Sequence, residues 1–323
     1  MSKSTFIGIT TYNDHGYLPL LLWTIRNYTF SNDYELVICD DGSPNEVSAS
    51  SIKLWCEEYS TDLIRHEENK GISAAWNTLS NEAVKRKCKN IVLLSNDLLV
   101  VPHWLRCLLY ALQANESSDI IGSVFWPTWS IPQCYSIDFL RTFHQQLHKY
   151  VVTVERVSDV YSNKQDDLSC RTVPRRLSPL GSAFAFTAKT FSRVGQFDER
   201  FQGSYNDMDF GVRCARLGLW SFMLPYPKLY HAFSRTYIEN KELPVLERRD
   251  AGMSLITEKW GLHDTAGYTY LHEQFIERYM RLPDDTEQHL MFLVPTGNVR
   301  ETRCSGDEVV LSVLEPMLHK VYV

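Results

Sequence analysis

The sequence predicts an α/β fold with a mostly parallel sheet and helices on both faces. Three observations carry this. Short β-prone apolar runs alternate with longer stretches of helical period from Thr5 to Leu112. Several runs end in polar clusters, Tyr12-Asn13-Asp14, Asp40-Asp41-Gly42-Ser43 and Ser95-Asn96-Asp97, and ligands bind at the carboxyl ends of strands in open α/β sheets. A chain of 323 residues is long enough for one large α/β domain, or for a core domain with an appendage.

The elements follow in order. Thr5–Thr11 reads as the first strand, and Tyr12–Gly16 as turn chemistry. Leu18, Leu20, Leu21, Leu22 and Ile25 predict a buried helix. Tyr34–Cys39 is the second strand, 47–59 a helix and Asp62–Arg65 a short third strand. After Gly71, a helical face is made by Ile72, Ala75, Trp76, Leu79 and Ala83, with Lys85, Arg86 and Lys87 at the end the helix dipole favours. Ile91–Leu94 is a short buried strand that delivers Asp97 to its carboxyl end, and 104–112 is an apolar helix.

The segment 126–179 is proline-punctuated and irregular, with a candidate helix at 137–150; insertions of this length are more often functional loops or lids. Leu180–Thr187 reads as a small-residue strand. After Tyr205-Asn-Asp-Met-Asp209 comes a helix with Phe210, Cys214 and Leu217 on one face, ending at Gly218. The last core strand is 220–224, just before His231; beyond Glu239 the chain reads as helical to about Met280, with a candidate strand at 308–314.

Composition narrows the function classes. The net charge of −6 gives no basic excess for nonspecific binding to a phosphate backbone, so nucleic acid is not the default partner. The 8 cysteines are scattered without a CxxC pair, as expected of reduced thiols in a cytoplasmic protein. No signal peptide and no transmembrane stretch is read from the sequence.

Three acidic clusters stand out: Asp40/Asp41, Asp97 and Asp207/Asp209. Asp97, with Asn96 beside it, is an oxygen donor suited to Mg²⁺ or Mn²⁺, or else part of an Asx turn. Asp207 and Asp209 suit a base, or else the first turn of a helix, where Asp209 can pair with Arg213 at i+4.

The segments Ile9–Asn13, Cys39–Ser43, Asn69–Asn77, Leu93–Asp97 and Gly181–Arg213 resemble glycosyltransferase family 2, which has the GT-A (Rossmann-like) fold. Gly181–Arg213 particularly resembles the rhamnosyltransferase-like branch. The resemblance implies a metal-dependent, inverting transfer from a nucleoside-diphosphate sugar, UDP- or dTDP-linked, to an acceptor hydroxyl. It implies that Thr10 and Tyr12 border the base and ribose, that Asp41 accepts the base N–H with Asp40 close by, and that Gly71 lets the backbone approach the nucleotide. Asn96 joins that nucleotide-binding set. Asp97 takes the place of the metal-binding motif, of which only the last position is acidic here. Asp207 matches the general base, and Asn206 replaces the usual Glu before it. His231 matches a metal- or phosphate-binding histidine in some related enzymes, or is structural. Trp126 and Trp129 stack on a sugar ring or simply pack.

The expected division is a catalytic domain at 1–235, with 126–179 an acceptor-binding lid, and a mainly helical extension at 236–323. The acceptor is open: a glycan, a lipid-linked glycan, a protein or a modified nucleobase. Competing readings are a phage-type transferase acting on modified DNA bases, a catalytically inactive nucleotide-sugar-binding module, and a nucleotidyltransferase. The last is disfavoured because Thr10–Leu18 lacks a Gly-rich basic loop.

Overall fold

A computed structural model describes residues 3–14, 16–114, 120–126, 136–144, 149–157, 172–176, 178–179, 181–219, 221–231, 244–260, 262–265, 268–271 and 289–291. The first half contains β1 (Thr5–Thr11), α1 (Tyr17–Tyr28), β2 (Tyr34–Asp40), α2 (Glu46–Glu58), β3 (Asp62–Arg65), α3 (Ile72–Lys85), β4 (Asn90–Ser95), β5 (Leu98–Leu99) and α4 (Trp104–Ala114). After them come β6 (Ile120–Trp126), β7 (Ser136–His144), β8 (Lys149–Val157), β9 (Thr172–Arg176), β10 (Ser178–Pro179), β11 (Ala183–Thr187), α5 (Ala188–Val194) and α6 (Asn206–Arg216). The remainder is β12 (Ser221–His231), α7 (Val245–Trp260), β13 (Leu262–Thr265), β14 (Tyr268–Leu271) and β15 (His289–Met291).

The main sheet runs β15-β9-β12-β6-β11-β4-β1-β2-β3, with β5 paired to β12. The β3-β2-β1-β4 half is parallel, as is the β6–β12 pair, while β11 runs antiparallel between β4 and β6. The strands are apolar on both faces because helices cover both. Period-2 alternation divides their side chains between two cores. Ile7, Ile9, Ile38, Val92, Leu94, Ala183 and Ala185 meet α1, α2 and α4. Phe6, Val37, Cys39, Ile91, Leu93, Phe184 and Phe186 meet α3, α5 and part of α6. Local chemistry starts the helices: Asp14 Oδ1 accepts the N–H of Leu18 ahead of α1, and the Asn45 side chain caps α2 through the N–H groups of Val47 and Ser48.

Register sets the site. Thr10 pairs with both Cys39 and Ser95, and Thr11 with Asp40, so the polar ends of β1, β2 and β4 lie side by side. Because β11 is antiparallel to β4, the backbone N–H of Ser95 reaches the Ser182 carbonyl at 2.8 Å. The β5–β12 pairing aligns Leu98 with His231 and so brings His231 next to Asp97.

Four expectations change. The candidate helix at 137–150 is instead the hairpin β7–β8, part of a second sheet ordered β10-β7-β8-β14-β13. The last core strand is longer than predicted and carries His231 at its end, with a register shift between Leu224 and Leu229. Leu20 is 52% exposed and Leu217 39%. Leu20 turns away from the buried Leu18–Leu21–Ile25 stripe, and α6 ends before Leu217, so Leu219 is buried in its place. Beyond Glu239 the described structure is the helix α7 and then the hairpin β13–β14, so helix gives way to strand after Trp260. Helix α7 places Ile256 and Trp260 in the same core as β1 and β4. The candidate strand at 308–314 lies outside the described residues.

Candidate active site

Asp40 and Asp41 are both buried, and they do different things. Asp40 Oδ1 accepts the N–H of Ser43 at 3.0 Å and its hydroxyl at 2.5 Å, while Oδ2 takes the Arg65 guanidinium. Arg65 also donates to the Ser43 carbonyl at 2.7 Å. The Asp40 carboxylate is 0% exposed and holds the turn through Ser43 and Arg65. Arg65 is drawn there by register, since β3 sets it directly opposite Asp40.

Asp41 accepts three hydrogen bonds: from the backbone N–H of Lys70 at 3.1 Å, from that of Gly71 at 2.8 Å, and from His66 Nδ1 at 2.7 Å. A carboxylate can only accept, which assigns a proton to Nδ1; Nε2 lies 2.9 Å from the Thr78 hydroxyl. His66 was not singled out from the sequence, and only its place just after the third strand hinted at it. The loop Asn69–Gly71 and the turn Asp41–Ser43 are thus one hydrogen-bonded unit. Two bonds fall on Oδ1 and one on Oδ2, which leaves Oδ2 a free acceptor position.

The first strand's loop joins this unit. Asn13 N–H donates to the Ser43 hydroxyl at 2.8 Å. The Thr10 hydroxyl is buried, 3.5 Å from the Leu94 carbonyl, and Tyr12 is half-buried at the strand end. Asn96 donates to the Thr11 hydroxyl at 3.1 Å and to Asp14 Oδ1 at 3.0 Å. Its amide ties this loop to the end of β4, a role its sequence position did not announce.

Asp97 and His231 face each other, with Oδ1 and Nε2 3.3 Å apart and both side chains buried. Ser182 Oγ lies 3.3 Å from the same Nε2. A carboxylate oxygen and an imidazole nitrogen form a mixed donor pair that fits Mn²⁺. Among the described residues no cluster of three or more His, Cys, Asp and Glu could hold a metal ion. The pair would hold one only with oxygens from ligand and water completing its shell, as Mg²⁺ and Mn²⁺ sites on diphosphates allow.

Asp207 is half-buried in the first turn of α6. Its Oδ2 accepts the Gly181 N–H at 3.0 Å, and its Oδ1 accepts the Met208 N–H at 2.8 Å. Its carbonyl accepts from the Ser178 hydroxyl at 2.8 Å, linking β10 of the second sheet to this turn. A Cβ at position 181 would lie 2.8 Å from the Trp76 ring and 3.3 Å from Asp207 Oδ2, so a glycine is needed for this approach.

Asp209 is fully buried, and its oxygens are taken by Arg213 Nε at 3.0 Å, Trp260 Nε1 at 2.9 Å and Lys259 Nζ at 2.7 Å. No acceptor can reach it, which removes it as an alternative base. Trp126 pairs through its backbone with Tyr230 at the end of β6, and Trp129 lies outside the described residues. The described cysteines are free thiols, and burial pushes Cys56 and Cys107 up to about 12, so they are inert packing groups.

The parallel strands, the buried carboxylates at their carboxyl edge and the antiparallel β11 define a GT-A fold. Solved structures show the same fold. One is GalNAc-T7, solved with UDP, GalNAc and Mn²⁺, at 18% identity and a TM-score of 0.53, covering 71% of this chain and 43% of that one. Another is the mannosyltransferase PcManGT of Pyrobaculum calidifontis, solved with GDP-Man and Mn²⁺, at 14% identity and a TM-score of 0.51, covering 82% and 77%. The family model described as glycosyl transferase family 2 matches residues 6–161 of this chain.

Curated relatives agree. Chondroitin synthase of Escherichia coli is 24% identical over 240 residues, 70% of this chain and 34% of the relative. The bifunctional glycosyltransferase pgtA of Dictyostelium discoideum is 36% identical over 107 residues, 31% of this chain and 13% of the relative. The chain thus spans about a third or less of these relatives. No helix among the described residues is long and apolar enough to cross a membrane.

Proposed function

We propose that the protein is a metal-dependent glycosyltransferase. It moves a sugar from a uridine or thymidine diphosphate sugar to an acceptor hydroxyl by inverting single displacement. The observation that carries this reading is the convergence of Asp41, the Asp97–His231 pair and Asp207 on one edge of the sheet, each held by a different element.

The free acceptor position on Asp41 Oδ2 suits the imino N–H of a pyrimidine. The neighbouring Lys70-Gly71 backbone opens α3, whose positive end favours the diphosphate. Asp97 and His231 would hold a divalent cation, which when bound offsets charge developing on the leaving diphosphate. Asp207 takes the proton from the acceptor hydroxyl. Its backbone donors fix the carboxylate, and its half-buried position leaves it reachable. The likeness of Gly181–Arg213 to the rhamnosyltransferase-like branch does not choose the sugar. The segment 126–179, with its hairpin β7–β8, shapes the acceptor side next to Asp207. The extension after 235 completes the unit through α7, and the protein acts in the cytoplasm.

A turnover screen tests the reading. Wild-type protein with Mn²⁺ and a panel of nucleotide-sugars should release nucleoside diphosphate from a uridine or thymidine donor, and the same donor should raise its melting temperature. Stabilisation without turnover on any acceptor would indicate an inactive binding module.

A further inference from the structure

We propose that helix α7 is a strut for the catalytic base: Lys259 and Trp260 fix Asp209, and through it the turn of α6 that carries Asp207. The inference rests on the assignment of Asp207 above.

Asp209 sits two residues past Asp207, and its backbone N–H caps onto the Tyr205 carbonyl at 2.9 Å. It is 0% exposed, so its charge must be matched inside the protein. Two of its three side-chain partners come from the last two residues of α7, a separation of 50 residues or more. Lys259 also reaches Asp198 Oδ2 at 2.8 Å, the same oxygen that Arg200 holds at 2.7 Å. Asp198 lies in the 195–205 loop. The same loop hydrogen-bonds the start of α3 through Ser73 to the Phe201 carbonyl at 2.5 Å and Asn77 to the Phe197 carbonyl at 2.9 Å. One ammonium therefore joins the base helix to the loop that packs on the nucleotide-side helix.

Two further contacts locate α7 on this turn. A Cβ at Gly252 would lie 3.0 Å from the Tyr205 ring and 3.1 Å from the Ser204 carbonyl, so the helix passes directly against the residues that enter α6. Nearer its N-terminus, Arg248 Nη2 donates to Asn69 Oδ1 at 2.8 Å, next to the N–H groups that hold Asp41. Positions 248 and 259 are about 16 Å apart along a helix. Thus α7 bridges the donor loop and the base turn, and Lys259 and Trp260 are positioning residues that act through Asp209.

Trp260→Phe is the cleanest test, because it removes one N–H donor and keeps the ring in the core. Lys259→Met removes the shared charge, and Lys259→Arg restores it. The measurements are kcat and KM for sugar release in Mn²⁺, UDP affinity by calorimetry, and hydrogen exchange of the 206–210 amides. The expected result for Trp260→Phe and Lys259→Met is faster exchange at 206–210, kcat lowered about 10-fold, as small displacements of reacting groups produce, and UDP affinity within about twofold of wild type. Lys259→Arg should recover most of the rate. Unchanged exchange at 206–210 in Trp260→Phe overturns the strut, whether or not the protein turns over sugar, and so does a kcat loss that only tracks weakened UDP binding. Wild-type protein without turnover on any donor would instead overturn the assignment of Asp207.

Discussion

Removing the Asp41 carboxylate should damage nucleotide binding and the fold together, in amounts the hydrogen bonds set. Asp41→Ala strips the acceptor from Gly71 N–H, Lys70 N–H and His66 Nδ1. Gly71 is buried, so its orphaned N–H costs about 1–3 kcal/mol. Lys70 is exposed and its N–H can turn to water, so it adds less, and the whole change should come to about 2–4 kcal/mol of stability. The lost partner for the base imino group should weaken UDP binding in Mn²⁺ by about 1–3 kcal/mol, or roughly 5- to 150-fold. Asp41→Asn separates the two effects. Its carbonyl, placed where Oδ2 lies, can still accept from Gly71 and from the base N–H, while its amide turns a donor toward the Lys70 N–H and His66 Nδ1, so nucleotide affinity recovers and stability does not. Calorimetry of UDP binding with thermal melts of the three proteins makes the comparison. UDP affinity equal to wild type in both variants would refute the role given to Asp41.

Three further outcomes are expected. Asp97→Ala, and separately His231→Ala, should make UDP affinity the same with and without Mn²⁺; a persisting Mn²⁺ increment in both variants on calorimetry would place the cation elsewhere. Gly181→Ala should cost about 1–3 kcal/mol of stability by overpacking against Trp76 and should slow transfer more than it weakens UDP binding, as read from melts and steady-state kinetics. Arg200 and then Lys259 hold the Asp198 carboxyl well below the ordinary carboxylate range, so its contribution to stability is complete above about pH 4 and fades as pH falls toward its folded value. Asp198→Asn should therefore lower the melting temperature at pH 7 and flatten its decline in acid, and a decline parallel to wild type would contradict this.

The sheet was legible because its strands obey a simple rule: residues such as Ile91–Leu94 are apolar on both faces, and each run ends in turn residues at the ligand edge. Asp41, Asp97, Asp207 and His231 could be singled out because each sits at a strand end or a helix start. Segment 137–150 was misread as a helix, although Ile137, Phe139 and Phe143 sit at alternating positions and Val151, Val152 and Val154 follow. The pairing that makes it a strand comes from the hairpin partner. Asp40 and Asn96 look identical to ligand-binding residues in sequence; only Ser43, Arg65, Thr11 and Asp14 show what they hold. Lys259 and Trp260 meet Asp209 across 50 residues or more, a contact that no local pattern reports.

The most direct test is Asp207→Asn. The substitution is nearly isosteric, keeps an acceptor for one of the Gly181 and Met208 N–H groups, and removes the charge that takes the proton. Sugar transfer and UDP affinity are measured on the same preparation in Mn²⁺. The predicted result is transfer slowed by at least ~10²-fold, the low end for general-base catalysis, with UDP affinity near wild type and a melting temperature lowered only by the one lost hydrogen bond, worth about 0.5–1.5 kcal/mol. Transfer at the wild-type rate would contradict the assignment of the base.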